Sequence, residues 1–354
     1  MDNKIKIGIA AAIVIGVIVT SIPALGISFG GNGNPGGSES KVLRIGYFLN
    51  INHAQAVIGL GNGDFQEALG DDVEVKIQIF NAGPSAIEAL FANQVDVTYI
   101  GPNPAINGYV VSKGEGLRII SGAASGGAVF VVINDAGINS ADDFANKKFS
   151  SPQLGNTQDV ALRKYLLENG YETKDNGGNV EVLPAKNADI LTLMIKKDID
   201  GAWVPEPWGV KLVKEANGKL FVDERTLWPD GEFVTAHIIV RTDYLEKNPD
   251  TIQKLLEAHI DETTWINEHQ DEAVAVFNTE LEKLTGKTIP EDEFNEGLSR
   301  MTLTWDPLKE SLLQSANDAF EIGFLGNEKP DLSEIYDLVL LNEVLDKKGL
   351  PEIK

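Results

Sequence analysis

The 354-residue sequence contains no cysteine, and this absence removes several kinds of chemistry. Without a thiol the chain has no disulfide, no thiolate metal ligand, no cysteine nucleophile and no lipid attached through a cysteine. The compartment in which the protein works must therefore be predicted from other features of the sequence.

Basic residues are scarce relative to acidic ones. The chain has 30 Lys and Arg against 53 Asp and Glu, which gives a formal charge of −23. A net charge of this sign disfavours nucleic acid as a partner, because a phosphate backbone needs basic side chains. No block of like charge dominates, so the pattern indicates a solvated acidic surface.

Sequence motifs for catalysis and metal binding are missing as well. There is no Walker loop, no Gly-x-Ser-x-Gly elbow and no pair of histidines at helical spacing. Of the four histidines, His53 follows a predicted strand, at the end where α/β sheets bind ligands. His237 is predicted to lie in a strand, and His259 and His269 on the surface of a charged helix. We expect no catalytic residue, no metal and no cofactor.

The N-terminus predicts export. Lys4 and Lys6 precede a nearly uncharged apolar run, so residues 1–27 are predicted to be a signal peptide or a membrane anchor. Residues 28–40 are a linker rich in Gly, Asn and Ser. The rest of the chain is expected outside the cytoplasmic membrane, either secreted or tethered to its outer face.

The folded part is organised around residues 81–107, which read as turn, helix, strand, turn and helix. Gly83-Pro84 suits a helix start, Val95 to Ile100 suits a buried strand, and Gly101-Pro102 begins the next helix. A similar arrangement recurs where residues 96–104 align with residues 200–207. A chance likeness of two strand–helix connections is the alternative, but the alternation of strands and helices along the chain favours two lobes of similar design.

These patterns predict an α/β fold of two lobes with mainly parallel sheets, in which a helical C-terminal tail packs on the first lobe. The predicted domains are a discontinuous lobe 1, residues 41–132 plus 236–354, and lobe 2, residues 133–235.

Several stretches resemble the nitrate/sulfonate/taurine/bicarbonate family of ABC-transporter substrate-binding proteins. They are Gly83-Pro-Ser-Ala-Ile-Glu-Ala-Leu, Asp96-Val-Thr-Tyr-Ile-Gly-Pro-Asn-Pro-Ala, Ser125-Gly-Gly-Ala, Gly155-Asn-Thr-Gln-Asp-Val-Ala-Leu-Arg163 and Trp203-Val-Pro-Glu-Pro-Trp208. The resemblance covers residues 41–241 well and the helical tail loosely. It implies a bilobal fold of the type II periplasmic-binding-protein kind, in which a two-strand hinge joins two lobes that close on a small solute and dock on ABC permease subunits in the membrane. The chain is expected to be a monomer.

The same resemblance implies a ligand site made of loops at strand ends and helix starts, where free N–H groups suit an oxyanion. The implied ligand-binding residues are Asn52, His53, Gly83, Ser85, Gly101, Asn103, Gly127, Gln153, Gly155, Asn156, Thr157, Gln158, Trp203 and Glu206. Helix capping is the alternative role for Ser85, Asn103 and Asn156. Trp203 suits the core or the cleft wall equally, and Glu206 suits a helix cap or a contact to an amine.

The implied solute is a small oxyanion such as nitrate, a sulfonate or bicarbonate. A zwitterion or cation, such as taurine or a thiamine-precursor-like amine, is the alternative and would use Glu206 or Asp159. An enzyme of thiamine-pyrimidine biosynthesis on the same fold is a further alternative. That activity would need an added reactive residue, which the lack of cysteine and the few histidines disfavour.

Overall fold

The computed structural model describes residues 41–354, and the predicted leader and linker lie outside the described residues. The strands are β1 Lys41–Phe48, β2 Val73–Phe80, β3 Val97–Ile100, β4 Leu117–Gly126, β5 Ala128–Ile133, β6 Lys148–Ser151, β7 Glu181–Pro184, β8 Gly201–Pro205, β9 Gly218–Asp223, β10 Val234–Arg241 and β11 Met301–Leu303. The helices are α1 Ala54–Gly61, α2 Asp64–Leu69, α3 Gly83–Phe91, α4 Pro102–Val111, α5 Thr157–Glu168, α6 Asn187–Ile195, α7 Trp208–Glu215, α8 Thr242–Lys247, α9 Pro249–Glu268, α10 Gln270–Thr285, α11 Glu291–Leu298, α12 Lys309–Glu321 and α13 Val339–Lys347.

The strands form two sheets, one for each lobe. The first sheet has the order β11-β4-β10-β3-β1-β2, and the second has the order β7-β6-β8-β5-β9. The pairs β1–β2, β1–β3, β6–β7 and β6–β8 are parallel. The prediction of mainly parallel sheets needs a correction, because β10 pairs antiparallel with β3 and β4, and β5 pairs antiparallel with β8 and β9.

The chain crosses between the sheets twice. β4 ends at Gly126 in the first sheet and β5 begins at Ala128 in the second, so the first crossing is at Gly127. The second crossing is the segment 224–233, which contains two 3-10 turns between β9 and β10. Sheet pairing therefore assigns residues 128–132 to the second sheet, although the sequence pattern suggested lobe 1. The domain boundaries otherwise stay a prediction.

Each sheet is covered by apolar side chains on both faces. Strand β5 illustrates this, because Phe130 packs with Phe149 and Leu162 on one face while its neighbour Val131 packs with Met194 on the other. Burying one such side chain contributes roughly 1.5–3 kcal/mol. The central strands of both sheets are therefore fixed in register, and the loops at their ends are held in defined places.

The C-terminal helices complete the first lobe, as the sequence predicted. Residues of α9, α10 and α13 share one buried cluster with β1 and β10, and Leu312 and Ala316 of α12 pack in the cluster on the other face of the sheet. Among residues 41–354 no helix is long and apolar enough to cross a membrane.

One prediction about the tail was wrong. His259 of α9 is fully buried, whereas the charged composition of its helix suggested a surface position. Its Nδ1 lies 3.0 Å from the hydroxyl of Tyr99, and its Nε2 lies 2.9 Å from the carbonyl oxygen of Gly122. Both partners belong to the first sheet, and burial lowers the pKa of His259 to about 4.

Candidate functional site

A small polar cavity lies between the two lobes, at the ends of strands from both sheets. Its volume is about 30 Å³. The first sheet and its helices contribute Phe48, Asn50, Asn52, His53, Asn81, Ala82, Gly83, Gly101, Pro104 and Thr235. The second contributes Pro152, Asn156, Thr157, Gln158, Asn187 and Pro205.

Four helices begin at this cavity. Gly83, Asn187 and Thr157 are the first residues of α3, α6 and α5, and Gly101 directly precedes α4. The first N–H groups of a helix have no partner within it, and the helix dipole places partial positive charge at the same end. The convergence of four helix starts therefore creates an environment that favours negative charge.

The local sequence explains why these helices start where they do. Pro84 and Pro102 occupy first-turn positions of α3 and α4, where the missing N–H costs nothing. The side chain of Asn156 accepts a hydrogen bond of 2.9 Å from the N–H of Asp159, which caps α5. Capping thus uses the side-chain oxygen of Asn156. The backbone N–H groups of Thr157 and Gln158, in the first turn of α5, have no partner within the helix.

Buried polar atoms around the cavity have no hydrogen-bond partner among the described residues. They are Asn52 Oδ1, His53 Nδ1, Thr157 Oγ1 and Asn187 Oδ1. Leaving such an atom unpaired costs about 1–3 kcal/mol. Four of them around one cavity indicate a place that is built to bind a polar molecule.

The side chains that line the cavity are neutral. Burial lowers the pKa of His53 to about 3, so its imidazole carries no charge near neutral pH. The ring of Phe48 meets this imidazole edge-on at 4.7 Å and fixes one of its sides. The remaining polar residues of the lining are amides and hydroxyls, so the cavity offers hydrogen bonds and helix dipoles and no charged side chain.

Asp159 follows the lining residue Gln158 in the sequence, and its carboxylate is hydrogen-bonded within its own loop. It accepts from the hydroxyl of Ser151 at 2.7 Å and from the N–H of Gly155 at 2.9 Å. Arg163, one turn further along α5, approaches it to 3.1 Å. Asp159 therefore holds the loop 155–158 in shape and is not free to pair with a ligand.

The structure brings seven of the predicted ligand residues together around the cavity. They are Asn52, His53, Gly83, Gly101, Asn156, Thr157 and Gln158. Ser85 and Gln153 lie next to it and approach each other across the lobes, with 3.4 Å between Oγ and Oε1. Gly155 forms the turn before α5 with a φ of +76°. Their role as ligand contacts stays a prediction.

Three predicted residues are directed elsewhere. The amide nitrogen of Asn103 donates to the carbonyl oxygen of Ser315 in α12 at 3.1 Å. Gly127 packs against the side chain of Met301 and forms the crossing between the sheets. Trp203 is fully buried, stacks on Phe130 at 5.3 Å and belongs to the core of the second lobe.

Glu206 acts as a helix cap and as half of an ion pair. Its Oε2 accepts from the N–H of Val210 at 3.0 Å, and its Oε1 lies 2.5 Å from the guanidinium of Arg300. Burial raises the pKa of Glu206, and the Arg300 charge opposes that shift. The carboxylate is fully buried and is not among the residues that line the cavity.

Asn81, Asn187 and Thr235 line the cavity and were missed by sequence reasoning. Asn187 follows Pro184-Ala-Lys and starts an apolar-striped helix, which is a pattern that could have found it. Thr235 is less available than the others, because its hydroxyl donates to the carbonyl oxygen of Gly126 at 2.6 Å.

A model of the NMT1-like family matches residues 36–278, which is more than half of the chain. The chain belongs to the NMT1-like family. A Bacillus subtilis (strain 168) protein named as a candidate aliphatic sulfonates-binding protein is 22% identical over 343 residues, covering 94% of this chain and 96% of that protein. The family resemblance predicted from the sequence is thereby confirmed.

The fold of this NMT1-like chain is similar to those of solved solute-binding proteins. The periplasmic nitrate-binding protein NrtA from Synechocystis PCC 6803 has a TM-score of 0.74 at 15% identity, covering 88% of this chain and 90% of that one. The alkanesulfonate-binding protein SsuA from Xanthomonas axonopodis pv. citri, bound to MOPS, has a TM-score of 0.68 at 14% identity, covering 82% and 96%. The predicted bilobal fold is confirmed.

Proposed function

We propose that this protein is the extracytoplasmic solute-binding component of an ABC importer and captures a small oxyanion between its two lobes. The observation that carries the proposal is the convergence of four helix starts on one cavity whose buried polar atoms lack partners within the described chain. The relatives named for sulfonate and nitrate binding support the same class of solute.

An anion is favoured over a cation by the charges around the cavity. Each helix start favours a negative charge by about 0.3–1 kcal/mol, and four act on the same small volume. The two carboxylates that a cationic solute would need are already occupied, Glu206 by Arg300 and Asp159 by its own loop. The lining offers an amine no charged partner.

The size of the cavity favours a compact solute. A volume of about 30 Å³ holds roughly two water-sized groups. Nitrate and bicarbonate have four heavy atoms each, whereas a larger organic sulfonate would require the lobes to stand further apart. We therefore rank nitrate and bicarbonate before taurine and longer sulfonates.

Calorimetry of the purified protein tests this function. Nitrate, bicarbonate, taurine and ethanesulfonate are titrated separately, with choline and ethylammonium as cationic controls. We expect saturable binding of nitrate or bicarbonate and none of the cations. Saturable binding of ethylammonium with no response to any anion would reject the oxyanion assignment.

Substitution of Thr157 connects the binding to this cavity. Thr157→Val keeps the shape of the side chain and removes its hydroxyl. A hydrogen bond to a charged group is worth roughly 1.5–3 kcal/mol, so we expect at least about tenfold weaker anion binding at an unchanged melting temperature. Leu167→Lys, on an exposed part of α5, is the matched control and should bind like the parent. Equal affinities of Thr157→Val and the parent would contradict the site.

The location is tested by cell fractionation. Lys4 and Lys6 before the apolar run 7–27 are the features that predict export. We expect residues 41–354 to be digested by protease added to intact spheroplasts. Full protection of that part in spheroplasts, with digestion only after lysis, would count against an extracytoplasmic protein.

A further inference from the structure

A second and larger cavity lies beside the crossing segment 224–233. Its volume is about 970 Å³, and among the described residues it shares no lining residue with the cavity between the strand ends. One wall comes from α5 of the second lobe and another from α12 of the tail. A cavity of this size is in the range of pockets for small organic molecules.

The floor of this cavity holds a buried carboxylate without a cationic partner. Glu224 is 3% exposed and takes part in no ion pair among residues 41–354. It accepts from the indole N–H of Trp203 at 2.6 Å and from that of Trp228 at 3.4 Å. A carboxylate has about four acceptor sites, so these two neutral donors leave part of its capacity unused.

The charge on Glu224 is poorly compensated. Burial, together with the neighbouring carboxylates of Asp223 and Asp318, raises its pKa to about 7, against the opposing effect of the two indole donors. A buried carboxylate is normally paired, because removing it from water costs several kcal/mol. A positive charge bound near this carboxylate would supply the missing compensation.

Aromatic rings stand next to the carboxylate. Trp228 is half-buried and stacks on Phe233 at 5.4 Å with 7° between the ring planes, which holds its orientation. The ring of Tyr165 meets Trp203 at 5.5 Å from the side of α5. Ring faces of Trp and Tyr attract ammonium groups, and they also cover an apolar body.

The lining as a whole is acidic. Seven carboxylate side chains line the cavity against three lysines. One of the lysines, Lys164, is already engaged with Glu168 at 3.3 Å and with Asp318 at 3.7 Å. The cavity therefore attracts cations and repels the anions for which the other site is suited.

We propose that this cavity is a second ligand site, which binds an organic ammonium ion with an aromatic or aliphatic body. The ammonium group contacts the carboxylate of Glu224 and the face of Trp228 that is turned away from Phe233, and the body lies against Tyr165 and Leu227. The assignment rests on this cavity alone and does not depend on the oxyanion function of the other one.

The probe for this site is 2-phenylethylammonium, and 2-phenylethanol is its neutral counterpart of the same shape. Both are titrated into the purified full-length protein by calorimetry and by tryptophan fluorescence. We expect saturable binding of one ammonium ion per chain and at least tenfold weaker binding of the alcohol. Equal affinities for the two probes, or no saturable binding of the ammonium at millimolar concentration, would overturn the proposal.

Variants locate the probe. Glu224→Gln removes the charge at similar size, and Trp228→Leu removes the ring from a half-buried position. Each should weaken 2-phenylethylammonium binding at least tenfold, and Glu215→Gln, an exposed acid elsewhere in the second lobe, should not. If Glu224→Gln does not fold, Trp228→Leu and the rim variant Asp230→Asn decide the matter, because both change partly exposed residues.

Thr157→Val separates the two cavities. It should bind 2-phenylethylammonium like the parent, because Thr157 lines only the cavity between the strand ends. Loss of ammonium binding in Thr157→Val, or unchanged binding in both Trp228→Leu and Glu224→Gln, would overturn the assignment to this cavity.

Discussion

Gly101 is the position where one added carbon should interfere with closure of the lobes. It lies directly after β3 in the first lobe, and a Cβ atom built on it would lie 2.2 Å from Oγ1 of Thr157, which starts α5 in the second lobe. The same atom would lie 3.3 Å from the Cβ of Thr157 and 3.5 Å from the backbone oxygen of Thr235. Gly101→Ala therefore collides mainly with one side chain across the cleft.

The size of the effect follows from the geometry. An ordinary contact needs about 3.4 Å, so the lobes must separate by roughly an ångström or Thr157 must leave its rotamer. Overpacking of this kind costs typically 1–3 kcal/mol, which corresponds to about 5- to 150-fold in a dissociation constant. The stability of each lobe should change little, because the collision exists only when the lobes are together.

Calorimetry with nitrate measures the loss of affinity, and small-angle scattering measures the radius of gyration with and without nitrate. We expect Gly101→Ala to bind at least fivefold more weakly and to remain more open at saturating nitrate than the parent. Thermal unfolding serves as the check that both lobes are folded.

A double-mutant cycle makes the reasoning refutable. Thr157→Ala removes the colliding oxygen, so Gly101→Ala should cost much less in the Thr157→Ala background than in the parent. Equal costs in both backgrounds would show that the collision is not the cause. Parent-like nitrate affinity in Gly101→Ala would reject the closed contact itself.

Three further predictions concern charges. Arg300→Met should lower the free energy of unfolding by about 3–5 kcal/mol in urea melts, because it leaves the buried Glu206 unpaired. Adding Glu206→Gln to Arg300→Met should recover part of the lost free energy, and no recovery would contradict the pairing. Nitrate affinity should be constant from pH 5 to pH 8, because the pKa of His53, about 3, lies below that range; a tenfold change would mean a titrating group at the site. Burial, with the nearby Asp64 carboxyl, raises the pKa of Glu262 from 4.5 to about 8, so its contribution to stability is complete below pH 4.5 and is lost as the pH rises to 8. That loss is at most about 5 kcal/mol, and Glu262→Gln should reduce the decline in urea melts across this window.

The parts of the fold that depend on local sequence were predictable. Pro84 and Pro102 predicted the starts of α3 and α4, and Asn156 with Asp159 three residues on predicted the start of α5. Each of these predictions needs only a few neighbouring residues, because helix starts are determined by side chains within one turn. Seven of the residues implied by the family resemblance line the cavity. Most of them lie at or beside these locally determined helix starts.

Features that depend on distant residues were not predictable in the same way. His259 looked like a surface residue because its helix is charged, but its hydrogen-bond partner Tyr99 lies 160 positions away in the sequence. The first crossing is at Gly127 because β5 pairs with β8 and β9, which the apolar sequence of β5 does not reveal. Local sequence patterns therefore predict a strand or helix, but the residues against which it packs or pairs depend on the whole chain.

The two similar strand–helix units, residues 96–104 and 200–207, differ in what occupies the start of their second helix. In the first, Gly101-Pro102 leads into α4 without a carboxylate, and Gly101 lines the cavity. In the second, Glu206 supplies an oxygen 3.0 Å from the N–H of Val210, so α7 already has a negative group at its positive end.

We infer that this difference is the reason why α4 begins at the proposed anion site and α7 does not. The start of α7 is closed to an external anion, because Glu206 is bound there and is held by Arg300. Glu206 thus occupies, at α7, the position that we assign to the solute at α4. A carboxylate in this family motif therefore does not by itself indicate an amine ligand.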